Sequence, residues 1–366
     1  MKKLGEICEM RAGKFIVASE IYDKPNDSLF PCFGGNGLRG YTKSFNKEGT
    51  YSLIGRQGAL CGNVTLANGK FYATEHAVIV EPNENADTIW MFYLLTYLNL
   101  NQYATGMAQP GLSVQNLEKI EIVFPKSKKE QQKTASFLSK IDERIQTQSK
   151  IINDLKTLKT TLSKKIFSQE LRFKDDKGND FSEWEEILLG EVMSIPEKTK
   201  AQNIDKNKLL TVKLHLKGVL KNDNTDTLSF GATNYFIRKK GQFIYGKQNL
   251  FNGAFDIIPD EFDGFLSSGD VPTLEINNSK INSSFLLYLM GRKEFYKPLE
   301  DFATGSGSKR IHEKTLLGIK IPFPSLPEQT KIANFLSAID SKIDIESQLL
   351  QKLEEQKKFL LQNMFV

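Results

Sequence analysis

Ile122-Val123-Phe124-Pro125, Ser127-x-x-Glu130-Gln131, Phe137-Leu138-Ser139 and Ile141-Asp142 follow one another in the middle of the chain, and the same run returns near its end. The second copy reads Ile321-Pro322-Phe323-Pro324, Ser325-x-x-Glu328-Gln329, Phe335-Leu336-Ser337 and Ile339-Asp340. Tyr103-Ala104-Thr105-Gly106 leads into the first copy as Phe302-Ala303-Thr304-Gly305 leads into the second, with Lys126 as a one-residue insertion. The repeated stretches run from Tyr103 to Gln169 and from Phe302 to Val366. Self-similarity over such a length governs the reading of everything else.

Each copy encodes a long helix. Ser-x-x-Glu ahead of an apolar-periodic run predicts a capping box, in which Ser accepts from an early helix N–H and Glu reaches back. Pro327 sits in the first turn, where its missing N–H costs nothing. The apolar positions then alternate in threes and fours: Leu138, Ile141, Ile145, Gln148, Ile152, Leu155, Lys159, Leu162, Ile166, and Leu336, Ile339, Ile343, Glu346, Leu350, Leu353, Lys357, Leu360, Met364. That is a coiled-coil seam, and its polar interruptions match, Gln148 with Glu346 and Lys159 with Lys357. Neither helix buries such a stripe alone, so the two are expected to pack together. About 40 residues at ~1.5 Å each make a rod of about 60 Å.

At 366 residues the chain is long enough for two or more domains. It is 40% hydrophobic and 25% charged, the balance of an ordinary soluble protein. Met1-Lys2-Lys3 leads into Leu4-Gly5-Glu6 rather than an apolar core, so no signal peptide is expected. The apolar stretch Ile89 to Leu100 is too short and polar to span a bilayer. Cys8, Cys32 and Cys61 contain no C-x-x-C pair, which suggests reduced cytoplasmic thiols rather than a disulfide frame or a zinc site. A net charge of +5 permits a nucleic-acid partner without requiring one.

Five segments are expected: a globular region over 1–125, a helix over 126–170, a polar linker over 171–182, a second globular region over 183–324, and a C-terminal helix over 325–366. In the first region Tyr51-Ser52-Leu53-Ile54 and His76-Ala77-Val78-Ile79-Val80 read as buried strands, and Thr88 to Leu98 as a helix capped by Asp87. The second region echoes the first. Leu189-Gly190-Glu191 answers Leu4-Gly5-Glu6, Ile244-Tyr245-Gly246-Lys247-Gln248 answers Leu53-Ile54-Gly55-Arg56-Gln57, and a helix over Asn282 to Tyr296 answers the one at Thr88. Otherwise the two regions differ.

The chain resembles, over essentially its whole length, the specificity subunits of type I restriction–modification systems. The resemblance is carried by Ile321-Pro322-Phe323-Pro324 with Pro327-Glu328-Gln329-x-x-Ile332-Ala333-x-Phe335-Leu336, and by Ile166-Phe167-Ser168-Gln169-Glu170-Leu171-Arg172-Phe173 leading to Trp184-Glu185. Pro31-Cys32-Phe33-Gly34-Gly35-Asn36-Gly37 and Leu53-Ile54-Gly55-Arg56-Gln57-Gly58 also resemble parts of the family's target-recognition domains. Lys126, Lys128 and Lys129 depart from the usual proline-rich entry to the first helix. The resemblance implies an α+β protein: two α/β target-recognition domains separated by two long antiparallel coiled-coil helices, with pseudo-two-fold symmetry. It further implies that each domain reads one half of a split double-stranded DNA site. The helices would set the spacer and dock two methyltransferase subunits. Those subunits would carry S-adenosylmethionine for adenine-N6 methylation, and an endonuclease/translocase subunit would use ATP and Mg²⁺. This chain would need no cofactor and bind no metal. A rod of about 60 Å can hold two readers more than one DNA turn, about 34 Å, apart. Unlike domains imply unlike half-sites.

Catalytic readings fare worse. Gly35-Asn36-Gly37-Leu38-Arg39-Gly40 matches G-x-G-x-x-G, but Tyr41-Thr42-Lys43-Ser44-Phe45-Asn46 does not open a helix. A methylase's Pro-Pro motif is missing. Pro259-Asp260 lies far from the next Glu-x-Lys at Glu355, and His76, His215 and His312 are scattered. His76 reads as a core residue of its strand. Base and phosphate chemistry favours Arg, Lys, Gln and Ser on loops. The expected DNA contacts are Arg39, Lys43, Arg56 and Gln57 in the first region. In the second they are Arg238, Lys239, Lys240, Lys247, Gln248, Ser308, Lys309 and Arg310. The expectation is a non-catalytic, sequence-specific DNA-recognition subunit. The competing classes are a coiled-coil DNA-binding or assembly protein unrelated to restriction, and a self-contained DNA-modifying enzyme.

Overall fold

The computed structural model describes residues 1–58, 60–106, 110–222, 233–305 and 307–365. It divides into two compact units, Met1–Ile152 with Glu346–Val366, and Asn153–Ile345.

The first unit begins with β1 (Lys2–Lys3), whose partner β8 (Glu121–Ile122) comes just before the long helix. Between them lie β2 (Cys8–Ala12), β3 (Phe30–Gly34), β4 (Gly37–Thr42), β5 (Lys47–Gly55), β6 (Val64–Ala73) and β7 (Ala77–Pro82). These form one sheet in the order β2-β7-β5-β6-β3-β4, antiparallel except where β3 meets β6. The strands form because apolar and β-branched runs such as Tyr51–Ile54 and Val78–Val80 are bounded by Gly and Asn turns. Helix α1 (Thr88–Tyr97) starts where the Asp87 carboxylate accepts from the N–H groups of Ile89 and Trp90. It buries Trp90, Met91, Tyr93, Leu94 and Leu95, each contributing about 1.5–3 kcal/mol of apolar transfer. After α2 (Val114–Glu118) comes α3 (Lys128–Phe167), a single helix of 40 residues.

The second unit repeats this plan with less sheet. β9 (Glu185–Leu188) pairs with β18 (Lys320–Phe323) as β1 pairs with β8. The Leu4 N–H donates to the Ile120 carbonyl, and the Leu189 N–H to the Ile319 carbonyl, both at 2.9 Å, so each Leu-Gly-Glu forms the same single turn. A four-stranded sheet runs β10-β17-β14-β15, built from β10 (Met193–Ser194), β14 (Phe243–Tyr245), β15 (Phe255–Ile257) and β17 (Thr273–Ile276). Two small pairs flank it: β11 (Leu210–Val212) with β12 (Val219–Lys221), and β13 (Tyr235–Ile237) with β16 (Leu266–Ser268). The helix expected from Asn282 to Tyr296 is two helices, α4 (Ser283–Met290) and α5 (Lys293–Tyr296), because the chain turns at Gly291 and Arg292 takes an extended backbone. Next come α6 (Glu313–Leu317) and α7 (Leu326–Met364), the second long helix.

The glutamine that follows each Ser-x-x-Glu ties a long helix to a shorter one. Gln131 is fully buried; its Oε1 accepts from the Asp87 N–H at 2.8 Å while its Nε2 donates to the carbonyls of Asn85 and Pro125. Gln329, also fully buried, accepts from the Asn282 N–H at 2.8 Å and donates to the carbonyls of Lys280 and Pro324. Asp87 and Asn282 are the N-caps of α1 and α4.

The capping boxes differ. In the first copy half of the box forms: Ser127 Oγ accepts from the Glu130 N–H at 3.4 Å, while among the described residues the Glu130 carboxylate does not reach back. In the second copy the expectation fails: Ser325 Oγ is buried without a hydrogen-bond partner, and Glu328 is engaged elsewhere. Its carboxylate accepts from Arg172 Nη2 at 3.0 Å, Arg172 Nε at 3.3 Å and Trp184 Nε1 at 3.1 Å. Arg172 belongs to the stretch expected to be a polar linker, and Trp184 follows just after it. The linker's two ends are instead built into the second unit, and the turn between them is held by Asp175 and Asn179.

Candidate nucleic-acid interface

In the first unit the two glycine-rich segments face each other across a cleft of about 610 Å³ lined by Gly34–Arg39, Gln57, Gly58, Leu60 and His76. The glycines make this approach possible. A Cβ at Gly55 would stand 2.0 Å from the Gly35 carbonyl oxygen, and Gly37 turns the β3–β4 hairpin at a φ of +78°. No helix opens on these glycines, so the geometry is that of a hairpin rather than of a dinucleotide cradle.

Arg56 and Gln57 leave the end of β5 with their backbone pinned. The Arg56 N–H donates to the His76 carbonyl, and the Leu112 N–H to the Arg56 carbonyl, each at 2.9 Å. Arg39, Lys43 and Gln57 are exposed and Arg56 is half-buried. Lys43 Nζ stands 5.9 Å from the Tyr22 ring centre. Among the described residues, none of these three cations has a carboxylate partner. His76 is a correction: it precedes β7, its side chain is 40% exposed, and its Nε2 lies 3.2 Å from Glu75 Oε1 on the cleft wall. Composition gave no hint of this, since the residues after it are apolar; the signal was the Thr74-Glu75-His76 turn between two strands.

The second unit uses the same backbone frame. The Lys247 N–H donates to the Asp270 carbonyl and the Ile311 N–H to the Lys247 carbonyl, again at 2.9 Å. The side chains diverge. Lys247 Nζ pairs with Glu313 Oε2 at 3.0 Å, with only 12% of the lysine side chain exposed. Burial pushes the Glu313 carboxyl up, but backbone hydrogen bonding, Lys247 and Lys198 outweigh it and hold the group below its ordinary value. Lys247 therefore presents no free charge, correcting the expectation that it matches Arg56; Gln248 beside it is half-buried.

Arg238 is also corrected. It is 4% exposed, donating from Nε to Ser267 Oγ at 2.7 Å, from Nη1 to Thr273 Oγ1 at 3.2 Å, and from Nη2 to the carbonyls of Ser268 and Val271. Burial lowers its pKa to about 10. It fastens the β13–β16 pair to β17 and faces no solvent. Lys239 and Lys240 beside it are exposed, and Lys240 lies 3.5 Å from Asp260. Lys309 pairs with Glu300 at 3.0 Å and Arg310 with Asp270 at 3.4 Å, next to the half-buried Ser308.

On the long helices, Leu138, Ile141, Gln148, Ile152, Ile166, Leu336, Glu346 and Leu353 are buried. Ile145, Leu155, Lys159, Leu162, Ile339, Ile343, Leu350, Lys357, Leu360 and Met364 are half-buried. The polar positions have partners that periodicity did not disclose. In the first unit Asp142 accepts from Tyr93 Oη at 2.7 Å and pairs with Lys357 Nζ at 2.5 Å, and Gln148 Nε2 donates to the Glu346 carbonyl at 3.0 Å. Within that unit α3 and α7 therefore run antiparallel. In the second unit Asp340 accepts from Tyr288 Oη at 2.7 Å and pairs with Lys159 Nζ at 2.6 Å. Each unit thus holds one Tyr–Asp–Lys triad with its members in corresponding roles. Among the described residues no helix is long and apolar enough to cross a membrane.

The family model for the type I restriction modification DNA specificity domain matches residues 1–157 and 181–355. The EcoprrI specificity subunit of Escherichia coli is 50% identical over 142 residues, which is 38% of this chain and 35% of that protein. The MjaVIII specificity subunit of Methanocaldococcus jannaschii is 26% identical over 324 residues, covering 83% of this chain and 75% of that one. Among solved structures, the type I S subunit from Mycoplasma genitalium shares the fold, with a TM-score of 0.67 at 18% identity over 100% of this chain and 95% of its own. With two copies of the family's domain covering most of its length, the chain belongs to the type I restriction–modification DNA specificity family and is a non-catalytic DNA specificity subunit.

Proposed function

We propose that each unit reads one half of an asymmetric, bipartite double-stranded DNA site, while α3 and α7 set the spacer and dock two methyltransferase subunits. One observation carries this reading: the same scaffold occurs twice, with the same clamps and triads, beneath faces of different chemistry. The first unit offers Arg39 and Gln57 on its cleft, with Lys43 after β4 and Arg56 after β5, and the second offers Lys239, Lys240, Gln248, Ser308, Lys309 and Arg310. Arginine and lysine suit guanine edges and phosphates, and glutamine suits adenine. Outside the seam the helices keep exposed apolar residues, including Ile151, Leu158, Leu349 and Phe359, which supports docking by partner chains. S-adenosylmethionine then belongs to the methyltransferase subunits, and ATP and Mg²⁺ to an endonuclease/translocase subunit, in a cytoplasmic complex.

The test is N6-methyladenine mapping of DNA from cells that express this chain with its methyltransferase subunit. A split, asymmetric motif that disappears when the chain is omitted is the expected result. Methylation at a palindrome, or methylation that persists without the chain, overturns the reading.

A further inference from the structure

Glu328, Lys331 and Phe335 stand along the first turns of α7, and in the second unit all three are covered by the stretch from Arg172 to Trp184. Glu328 takes Arg172 and the Trp184 indole N–H, as described above. Lys331 Nζ pairs with Asp176 at 2.6 Å and donates to the Lys174 carbonyl at 2.8 Å. The Phe335 ring meets Phe173 edge-on, with centroids 5.4 Å apart. The covering segment thus supplies an arginine, an adjacent aromatic residue and, shortly after, an acid.

The first unit carries the same three side chains at the same places in the repeat: Glu130, Lys133 and Phe137 at the start of α3. Among the described residues nothing covers them. Glu130 and Lys133 are exposed, and their side chains meet no partner among the described residues. Phe137 is 46% exposed where Phe335 is half-buried. The neighbouring Gln131, Leu138 and Asp142 keep their repeat-matched contacts, so the helix face is set up as it is in the second unit and lacks only its cover.

We infer that Glu130, Lys133 and Phe137 form a docking surface for a segment of a methyltransferase subunit with the chemistry of Arg172-Phe173-x-x-Asp176. An arginine forks onto Glu130, the following aromatic residue packs on Phe137, and an acid meets Lys133. Arg–carboxylate pairing fixes the geometry, and the ring supplies the buried apolar area. The inference rests on the reading that the helices dock methyltransferase subunits, and it gives that docking an address.

The test uses the full chain co-expressed with its methyltransferase subunit. The double variant Glu130→Lys/Phe137→Ser keeps its melting temperature and its DNA binding, while its association with the methyltransferase weakens at least tenfold. A photo-crosslinking benzoylphenylalanine at position 137 joins the methyltransferase at a segment containing an arginine and an aromatic residue. Association of the double variant within twofold of wild type, or a crosslink confined to the chain itself, overturns this surface and leaves docking elsewhere on the helices standing. A wild-type chain that binds no methyltransferase subunit overturns the docking reading and this surface with it.

Discussion

Gln148 donates to the backbone of Glu346, and these two residues are each other's counterpart in the repeat, 198 positions apart. They are 6% and 9% exposed, and Nε2 also reaches the Glu346 carboxylate. Gln148→Leu removes the donor and leaves a buried acceptor, so it costs about 1–3 kcal/mol. Gln148→Leu/Glu346→Leu recovers most of that loss, since an apolar pair of similar volume needs no partner. Denaturation midpoints of the wild type and the two variants measure it.

Asp142 is held by Tyr93 and by Lys357, and both contacts are partly shielded from water. Asp142→Ala is expected to destabilise by about 2 kcal/mol and Lys357→Ala by less, because only the former also takes the shorter hydrogen bond from the Tyr93 hydroxyl, leaving it Ser139 Oγ at 3.4 Å. A double-mutant cycle should give a coupling above about 0.5 kcal/mol. The same cycle on Asp340 and Lys159 gives a similar value if the triads are equivalent.

Arg56 and Lys247 share a backbone position but not a chemistry. Arg56→Gln lowers the slope of log affinity against log salt by about 0.9, the loss of one phosphate contact. Lys247→Gln leaves the slope unchanged and lowers the melting temperature, because Glu313 loses its more buried partner and keeps only the exposed Lys198. DNA-binding titrations across a salt series separate the two.

Arg238→Lys does not preserve what Arg238 does. An ammonium cannot span Ser267, Thr273 and two carbonyls, so the variant loses about 1–3 kcal/mol while base preference stays unchanged. Methylation-motif mapping together with a thermal melt distinguishes this from a DNA-contact role.

The folded-state pKa of the Glu313 carboxyl is lowered, so its contribution is fully present above the unfolded value of roughly 4.3 and is lost as pH falls through the lower folded value. The second unit should weaken with acid over that window, and Glu313→Gln should flatten that part of the curve. Fluorescence-monitored unfolding at several pH values reads both.

The long helices were legible because a three-and-four period writes one face of a helix directly into the chain. The strands around Leu53 and Val78 were legible for the same local reason. Partners distant in sequence were not. Glu328 has the spacing of a capping residue, yet Arg172 and Trp184 compete for its carboxylate and win. Arg238 counts as a surface charge until the hydroxyls of Ser267 and Thr273 are brought around it. Lys247 matches Arg56 in the repeat, but position 313 supplies a carboxylate that the first unit lacks. A charge's role depends on what folding places beside it, and one sequence does not print that.

The first unit has a consequence for biosynthesis. Its apolar core includes Phe365, which stacks on Tyr97 at 5.6 Å, and Leu360, Leu361 and Met364 pack against it. Residues 1–152 leave the ribosome first but cannot close that core until residues 346–366 arrive, whereas 153–345 are contiguous. Domains generally fold as units during synthesis, N-terminal first. Here the order is inverted: the half of the protein made first is the half finished last, and until then its open core is a client for chaperones.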